Sequence, residues 1–224
     1  EPYPYYDEAL KRDPDDIRAN TAMGIDDCRR GNYLRAVERL ERALARLTKN
    51  HTRPMDGAPH YYLGVAQNGL ENSAAARDAF NRAAWNSAWR AASEYALAEL
   101  DCRANDFPAA LGHIEESIAV NARDTAALDL RATILRHLGK HVEAKAQAEA
   151  VLEMAPLDFW AGNELYLLTG MRKAAEPAMR ALSTLTKRMR GQAEAYLELA
   201  AHYSTAGRYD EAIQALSRHT ADTA

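Results

Sequence analysis

The chain holds two cysteines in 224 residues, and both sit in the same tripeptide, Asp27-Cys28-Arg29 and Asp101-Cys102-Arg103. Two thiols could form a disulfide, a redox couple or half of a metal site. A disulfide requires Cα atoms within about 7 Å, so the question is where the fold puts them. His137 and His141 stand four apart, the spacing at which two imidazoles on one helix face hold zinc. Gly139 interrupts that helix, however, and no carboxylate or thiol stands at a ligand spacing. Asp26-Asp27 and Glu115-Glu116 are adjacent pairs that diverge around a helix, so they read as solvated faces rather than as an acid–base couple. The other histidines, His51, His60, His113, His202 and His219, fall at unrelated offsets. No nucleophile elbow, zinc-protease helix, phosphate loop or dinucleotide turn is present. The residues therefore point to no enzyme, no cofactor and no metal.

Bulk properties narrow the class further. A net charge of −4 and a pI near 6.0 supply no basic field for a phosphate backbone, which argues against nucleic acid. No apolar run approaches the roughly 18 residues of a membrane span. The chain is 47% hydrophobic, rich in alanine and sparing in valine and isoleucine, a balance that favours helix over sheet. The opening stretch "EPYPYYDEAL" lacks an initiator Met and has neither the basic start nor the apolar run of a signal peptide. An excised piece of a longer cytoplasmic protein is expected, and the sequon Asn50-His51-Thr52 then reads as a chance match.

What must position these residues is a repeat. Ala36, Ala76, Ala110, Ala144, Ala178 and Ala212 are 40, 34, 34, 34 and 34 residues apart. Gly24, Gly64, Ala98, Ala132, Tyr166 and Ala200 keep the same period upstream, small in every case but Tyr166. Leu40, Phe80, Ile114, Ala148, Leu182 and Leu216 keep it four residues downstream, all apolar. Ala43, Ala83, Ser117, Val151, Leu185 and His219 follow three further on. Small residues at the earlier position let two antiparallel helices approach, and the downstream positions share one face of the second helix. Each unit is thus a helical hairpin. Gly31-Asn32, Asn105-Asp106, Gly139-Lys140 and Gly207-Arg208 mark the turns within hairpins, whereas Asp13-Pro14 and Ala155-Pro156 break the chain between them. Stretch 48–59, "TKNHTRPMDGAP", carries the six extra residues of the first interval and reads as an inserted surface loop.

Stretches such as "AMGIDDCRRGNYLRAVERLERAL" and "AAHYSTAGRYDEAIQAL" resemble the tetratricopeptide repeat. The resemblance covers nearly the whole chain: a half unit at 1–16 and units starting near 17, 57, 91, 125, 159 and 193. It implies an all-α, right-handed solenoid or superhelix of about six and a half hairpins, thirteen helices without a strand, forming one repeat domain over 1–224. Asp27 and Asp101 depart from the pattern by replacing its tyrosine, and the fifth unit departs through Tyr166 and a missing turn glycine. Two units separate the cysteines, so helix packing alone puts them on the order of 20 Å apart as buried thiols rather than a bonded pair. The order of units also looks like the tail of large bacterial proteins that carry a further domain before their repeats.

In the family that this chain resembles, the first helices of successive units line a concave groove that binds a peptide or protein. The matching offsets here are Arg18, Arg29, Tyr61, Asn68, Tyr95, Glu99 and Arg103 in the early units. In the later units they are Asp129, Arg136, His137, Trp160, Asn163, Glu194 and Leu197. The early half interleaves arginine with tyrosine, the usual anchors of protein interfaces. The later half crowds Asp129, Glu164, Glu194 and Glu198, so a bound peptide is expected to turn its basic end there. Thr21, Ile25, Ala96, Ala126 and Leu130 occupy the places of the family's carboxylate-binding residues, which argues against chaperone tails. Trp85 and Trp89 read mainly as core, with an exposed anchor as the other reading.

The function expected is a non-enzymatic interaction scaffold. The alternative is a structural or regulatory tail of a larger, carbohydrate-acting enzyme, docked on its own upstream domain. Tyr5 and Tyr6, at the open end of the half unit, are expected to meet that domain or a second copy.

Overall fold

The computed structural model describes residues 3–49, 55–171 and 175–222. Thirteen helices and no strand are found among them, an all-α helical-repeat solenoid. The half unit is α1 (Tyr3–Arg12). Hairpins follow as α2 (Ile17–Arg29) with α3 (Tyr33–Leu47), α4 (Ala58–Gly69) with α5 (Ser73–Ala83), and α6 (Ser87–Arg103) with α7 (Phe107–Val120). The last three pair α8 (Thr125–His137) with α9 (His141–Met154), α10 (Phe159–Met171) with α11 (Ala175–Met189), and α12 (Ala193–Thr205) with α13 (Tyr209–Asp222).

The hairpin turn has one recurrent device. Gly31, Glu71, Asn105, Gly139 and Gly207 occupy the same position of their units, and all have positive φ, between 59° and 75°. This single left-handed residue reverses the chain in two or three residues, which is why glycine or asparagine is the usual occupant. Glu71 is the exception, at φ 61°. The corresponding turn of the fifth unit, and the sequon, lie outside the described residues. Asp16, Asp106, Asp124 and Asp158 each accept a hydrogen bond from the backbone N–H three residues on, and so start α2, α7, α8 and α10.

The chain forms two compact units, Glu1–Leu97 and Ala98–Ala224. In the first, a Cβ on Gly24 would lie 2.7 Å from Leu40, and one on Gly64 would lie 2.6 Å from Phe80. The small positions of α2 and α4 are therefore the sockets for the large apolar positions of α3 and α5. Cys28, Ala36, Leu40 and Ala66 form the core there, flanked by Tyr33, Val37 and Tyr62. The second unit centres on Leu128, Ala132, Ala148, Val151 and Ala161. Its α10–α11 hairpin uses a different socket: a Cβ on Gly162 would lie 3.1 Å from Leu185, while Tyr166 stays half-buried under the Arg218 guanidinium, 4.7 Å from the ring centre. The bulky residue at the usual small position thus moves the close approach one helical turn toward the start of α10.

Candidate functional site

The residues with the most obvious chemistry are structural. Cys28 and Cys102 are free and buried. Burial, with the Asp27 charge, pushes the Cys28 thiol up to about 11, and burial pushes Cys102 up to about 12, so both stay protonated and unreactive. Asp26 and Asp27 diverge: the first pairs with Arg30 at 2.6 Å and the second with Arg39 at 3.1 Å. His137 ends α8 and His141 starts α9; the His137 ring stacks on Phe107 at 4.6 Å, and its Nε2 lies 3.1 Å from Glu211 Oε1. Among the described residues no cluster of three His, Cys, Asp or Glu could hold a metal ion.

In the first unit, Arg18 and Arg29 are exposed on α2. Tyr61 is half-buried and stacks on Trp89 at 4.8 Å, with Tyr62 meeting the same indole edge-on at 5.6 Å. Trp89 therefore belongs to packing, whereas Trp85 is 59% exposed. Asn68 is half-buried with its Oδ1 unpartnered. Tyr95 is likewise half-buried.

Glu99 and Arg103 on α6 are half-buried at the start of the second unit, and Arg103 lies against Gly207 in the α12–α13 turn. Deeper in, sequence-expected groove residues are drawn into a buried polar network. Arg136 donates to both Glu164 oxygens, at 2.7 and 3.2 Å, and to Glu211 at 3.0 Å. Glu164 also accepts from Thr133 at 3.1 Å and from the Tyr203 hydroxyl at 2.7 Å. Asn163 donates to Tyr203 at 2.8 Å and accepts from Arg218 at 2.7 Å. Trp160 donates to Thr133 at 3.0 Å and stacks on His202 at 4.7 Å. Glu164 and Asn163 are fully buried, so their polar groups serve the protein's interior. Burial would raise the Glu211 carboxyl, but His137 and Arg136 outweigh it and hold it at about 2. Burial and the Glu164 charge push the Tyr203 phenol well above its ordinary range.

Beside this network lies an open pocket of about 540 Å³. It is lined by Thr125 and Asp129 from α8, Phe159 and Trp160 from α10, and Glu198 and His202 from α12, and it is floored by turn 155–158. Three successive first helices thus converge on one space. Asp129 is 1% exposed; its Oδ1 accepts no hydrogen bond, while its carboxyl lies within hydrogen-bond reach of the Asp158 side chain. Burial and then the Asp158 carboxylate push Asp129 up to about 10, so it is protonated at neutral pH. Asp129 and Trp160 are among the groove positions expected from the sequence. Asp158 and His202 are not among them, although Asp158 follows Pro156 at a helix start, where a capping carboxylate belongs.

The family model for the tetratricopeptide repeat matches residues 21–94 and 95–159. Among solved structures, the chain is similar to YrrB, a protein of this repeat type with an unusual peptide-binding site, at 19% identity and TM-score 0.64, covering 85% of this chain and 95% of that one. A repeat protein from Parabacteroides merdae matches at 19% identity and TM-score 0.68, covering 90% and 78%. The C-terminal part of a repeat protein from Cytophaga hutchinsonii matches at 14% identity and TM-score 0.69, covering 97% and 87%. Identities this low speak to fold alone, but the family model spans well over half of the sequence, and the chain belongs to the tetratricopeptide repeat family.

Proposed function

We propose that this chain is a non-enzymatic, cytoplasmic interaction scaffold that holds a peptide or protein segment against its first-helix wall. Interaction is the general role of this repeat. The finer assignment rests on one observation, the pocket where α8, α10 and α12 converge with Asp129, Trp160, Glu198 and His202 around it. A peptide-binding site is also attributed to YrrB, whose fold this chain shares. Concave, partly apolar spaces with a few convergent polar groups are where segments of partners anchor. Selection of random peptides on the full chain tests the reading. Selected peptides should perturb the Trp160 and His202 resonances, and peptides that bind only elsewhere would overturn it.

A second surface is favoured by Tyr5, which is 81% exposed on α1. It suits self-association or, in a larger enzyme whose tail these repeats would form, docking on the upstream domain. Sedimentation of the chain and its Tyr5→Ser variant across a concentration series should show association that the substitution removes.

A further inference from the structure

We propose that the pocket between α8, α10 and α12 is a receptor for a single arginine side chain of the bound polypeptide, an inference that rests on the interaction-wall reading above. Its lining carries three carboxyl groups, Asp129, Asp158 and Glu198, and no lysine or arginine. Each carboxyl is differently placed. Asp158 Oδ1 accepts from the Ala161 amide at 3.0 Å as the cap of α10. Glu198 is exposed on α12. Asp129 is buried, with an unpartnered oxygen, in a pocket open to a ligand. An unsatisfied buried acceptor of this kind costs stability until a donor reaches it.

The neighbouring charges define what that donor is. Glu164, behind the pocket on α10, and Glu211 of α13 already share the Arg136 guanidinium, and His137 Nε2 lies beside Glu211. Asp124 at the start of α8 adds negative potential at Asp129, as do Asp158 and Glu164. His202 of α12 is held against the Trp160 ring. A cation is therefore wanted, and no three-ligand metal cluster occurs among the described residues, which favours a cation carrying several donors of its own. A guanidinium has five N–H groups in a planar fork and suits a lining that carries several carboxyls, Asp129, Asp158 and Glu198; an ammonium is a point charge with three.

Binding is coupled to a proton. In the empty pocket Asp129 keeps its proton, because burial and the Asp158 charge make a second carboxylate there unfavourable and the protonated carboxyl can donate to Asp158. The arriving guanidinium reverses that balance: the Asp129 O–H bond breaks, the proton passes to buffer, and the carboxylate accepts from the guanidinium. Affinity should accordingly rise with pH over the neutral to alkaline range.

The probe is the blocked peptide acetyl-Ala-Arg-Ala-amide, with lysine and citrulline counterparts, titrated into the full chain by calorimetry in two buffers of different ionisation heat. Heteronuclear NMR of the same samples locates the site. The arginine peptide should shift the Trp160 indole and His202 signals, release protons, and bind about tenfold or more tightly than the neutral citrulline peptide. Lysine should fall between. Asp129→Asn should abolish the proton release and bring the arginine peptide down to the citrulline level. Exposed Glu198→Lys, which threatens the fold least, should do at least as much to affinity. Equal binding of arginine and citrulline peptides at the pocket would overturn the arginine assignment while leaving the interaction wall in place. Absence of arginine-dependent shifts at Trp160 and His202, or indifference to both substitutions, would also overturn it. The wall itself falls only when selected peptides of every composition avoid the pocket.

Discussion

Asp27 and Arg39, twelve residues apart on α2 and α3, form a 3.1 Å ion pair, and Asp101 and His113 repeat the same offset on α6 and α7 at 3.7 Å. The aspartates stand where the family pattern has tyrosine, and both are buried. The Asp27 copy is thus a polar latch between the helices of its hairpin, the Asp101 copy sets a buried carboxylate beside an imidazole at the same place, and in both the cysteine is buried filling. A double-mutant cycle on Asp27→Ala and Arg39→Ala should give a coupling of about 1 kcal/mol in urea unfolding, between the values typical of exposed and buried pairs. Additive single losses would reduce the latch to a coincidence of spacing.

Gly64→Ala tests the socket. Alanine gains up to about 1 kcal/mol in helix propensity over glycine. Its Cβ would sit 2.6 Å from a Phe80 ring that is itself 1% exposed, so the ring must move within a packed core. Overpacking of that kind costs about 1–3 kcal/mol. Net destabilisation is expected, and Gly64→Ala with Phe80→Leu should recover stability relative to Phe80→Leu alone.

The buried Arg136–Glu164 pair predicts a strong asymmetry. Glu164→Gln leaves the Arg136 charge underneutralised in a nearly solvent-free site and should cost about 3 kcal/mol or more. Replacing both residues by apolar ones of similar volume should cost far less. Chemical denaturation of the three variants decides between these outcomes.

Two carboxyls give opposite pH trends. Glu211 is held below its ordinary 4.5, at about 2, so its contribution is complete above pH 4.5 and is lost as pH falls toward 2. Asp129 is raised from 3.8 to about 10, so the folded state holds the extra proton. Its contribution is complete below pH 3.8 and is lost as pH rises toward 10. Glu211→Gln should flatten the acid limb of a stability profile, and Asp129→Asn the alkaline limb.

Arg29 and Arg103 should behave unequally. Arg29 is exposed, so Arg29→Ala should leave stability within about 0.5 kcal/mol. Arg103 packs its stem against Gly207, so Arg103→Ala should lower the melting temperature as well. Binding of a selected peptide, measured beside melting, separates a wall role from a packing role: loss with Arg29→Ala at unchanged melting marks the wall.

The repeat could be read from the sequence because its signal is local. Ala36 and its successors, the Gly24 and Gly64 sockets and the Gly31, Asn105, Gly139 and Gly207 turns all follow from side-chain size and φ within one hairpin. Glu71 escaped because glutamate is not a turn residue, yet its unit position imposes the same φ. The groove positions could be expected only as offsets. Whether a wall residue meets solvent depends on what lies across from it, and Glu211, Tyr203 and Arg218 reach Arg136, Glu164 and Asn163 from sequence positions that no 34-residue period relates. Of the pocket carboxyls Asp158 was missed for a similar reason: it acts as a helix cap toward the residues that follow it and as a charge toward Asp129.

Arg208 donates at 2.8 Å to the Cys102 carbonyl and to Asn105, across 106 and 103 residues. Repeat arrays ordinarily gain stability from each hairpin and its immediate neighbour, so they can assemble progressively from either end. Here the final hairpin contributes to the α6–α7 turn and, through Glu211, to the end of α8. During synthesis those earlier helices emerge long before their partners, and their bonds to Arg208 and Glu211 form only when α13 has been made. Such distant closures raise contact order and slow the final folding step. They also couple hairpins that are not neighbours in sequence, so that loosening the α12–α13 turn removes bonds from the α6–α7 turn.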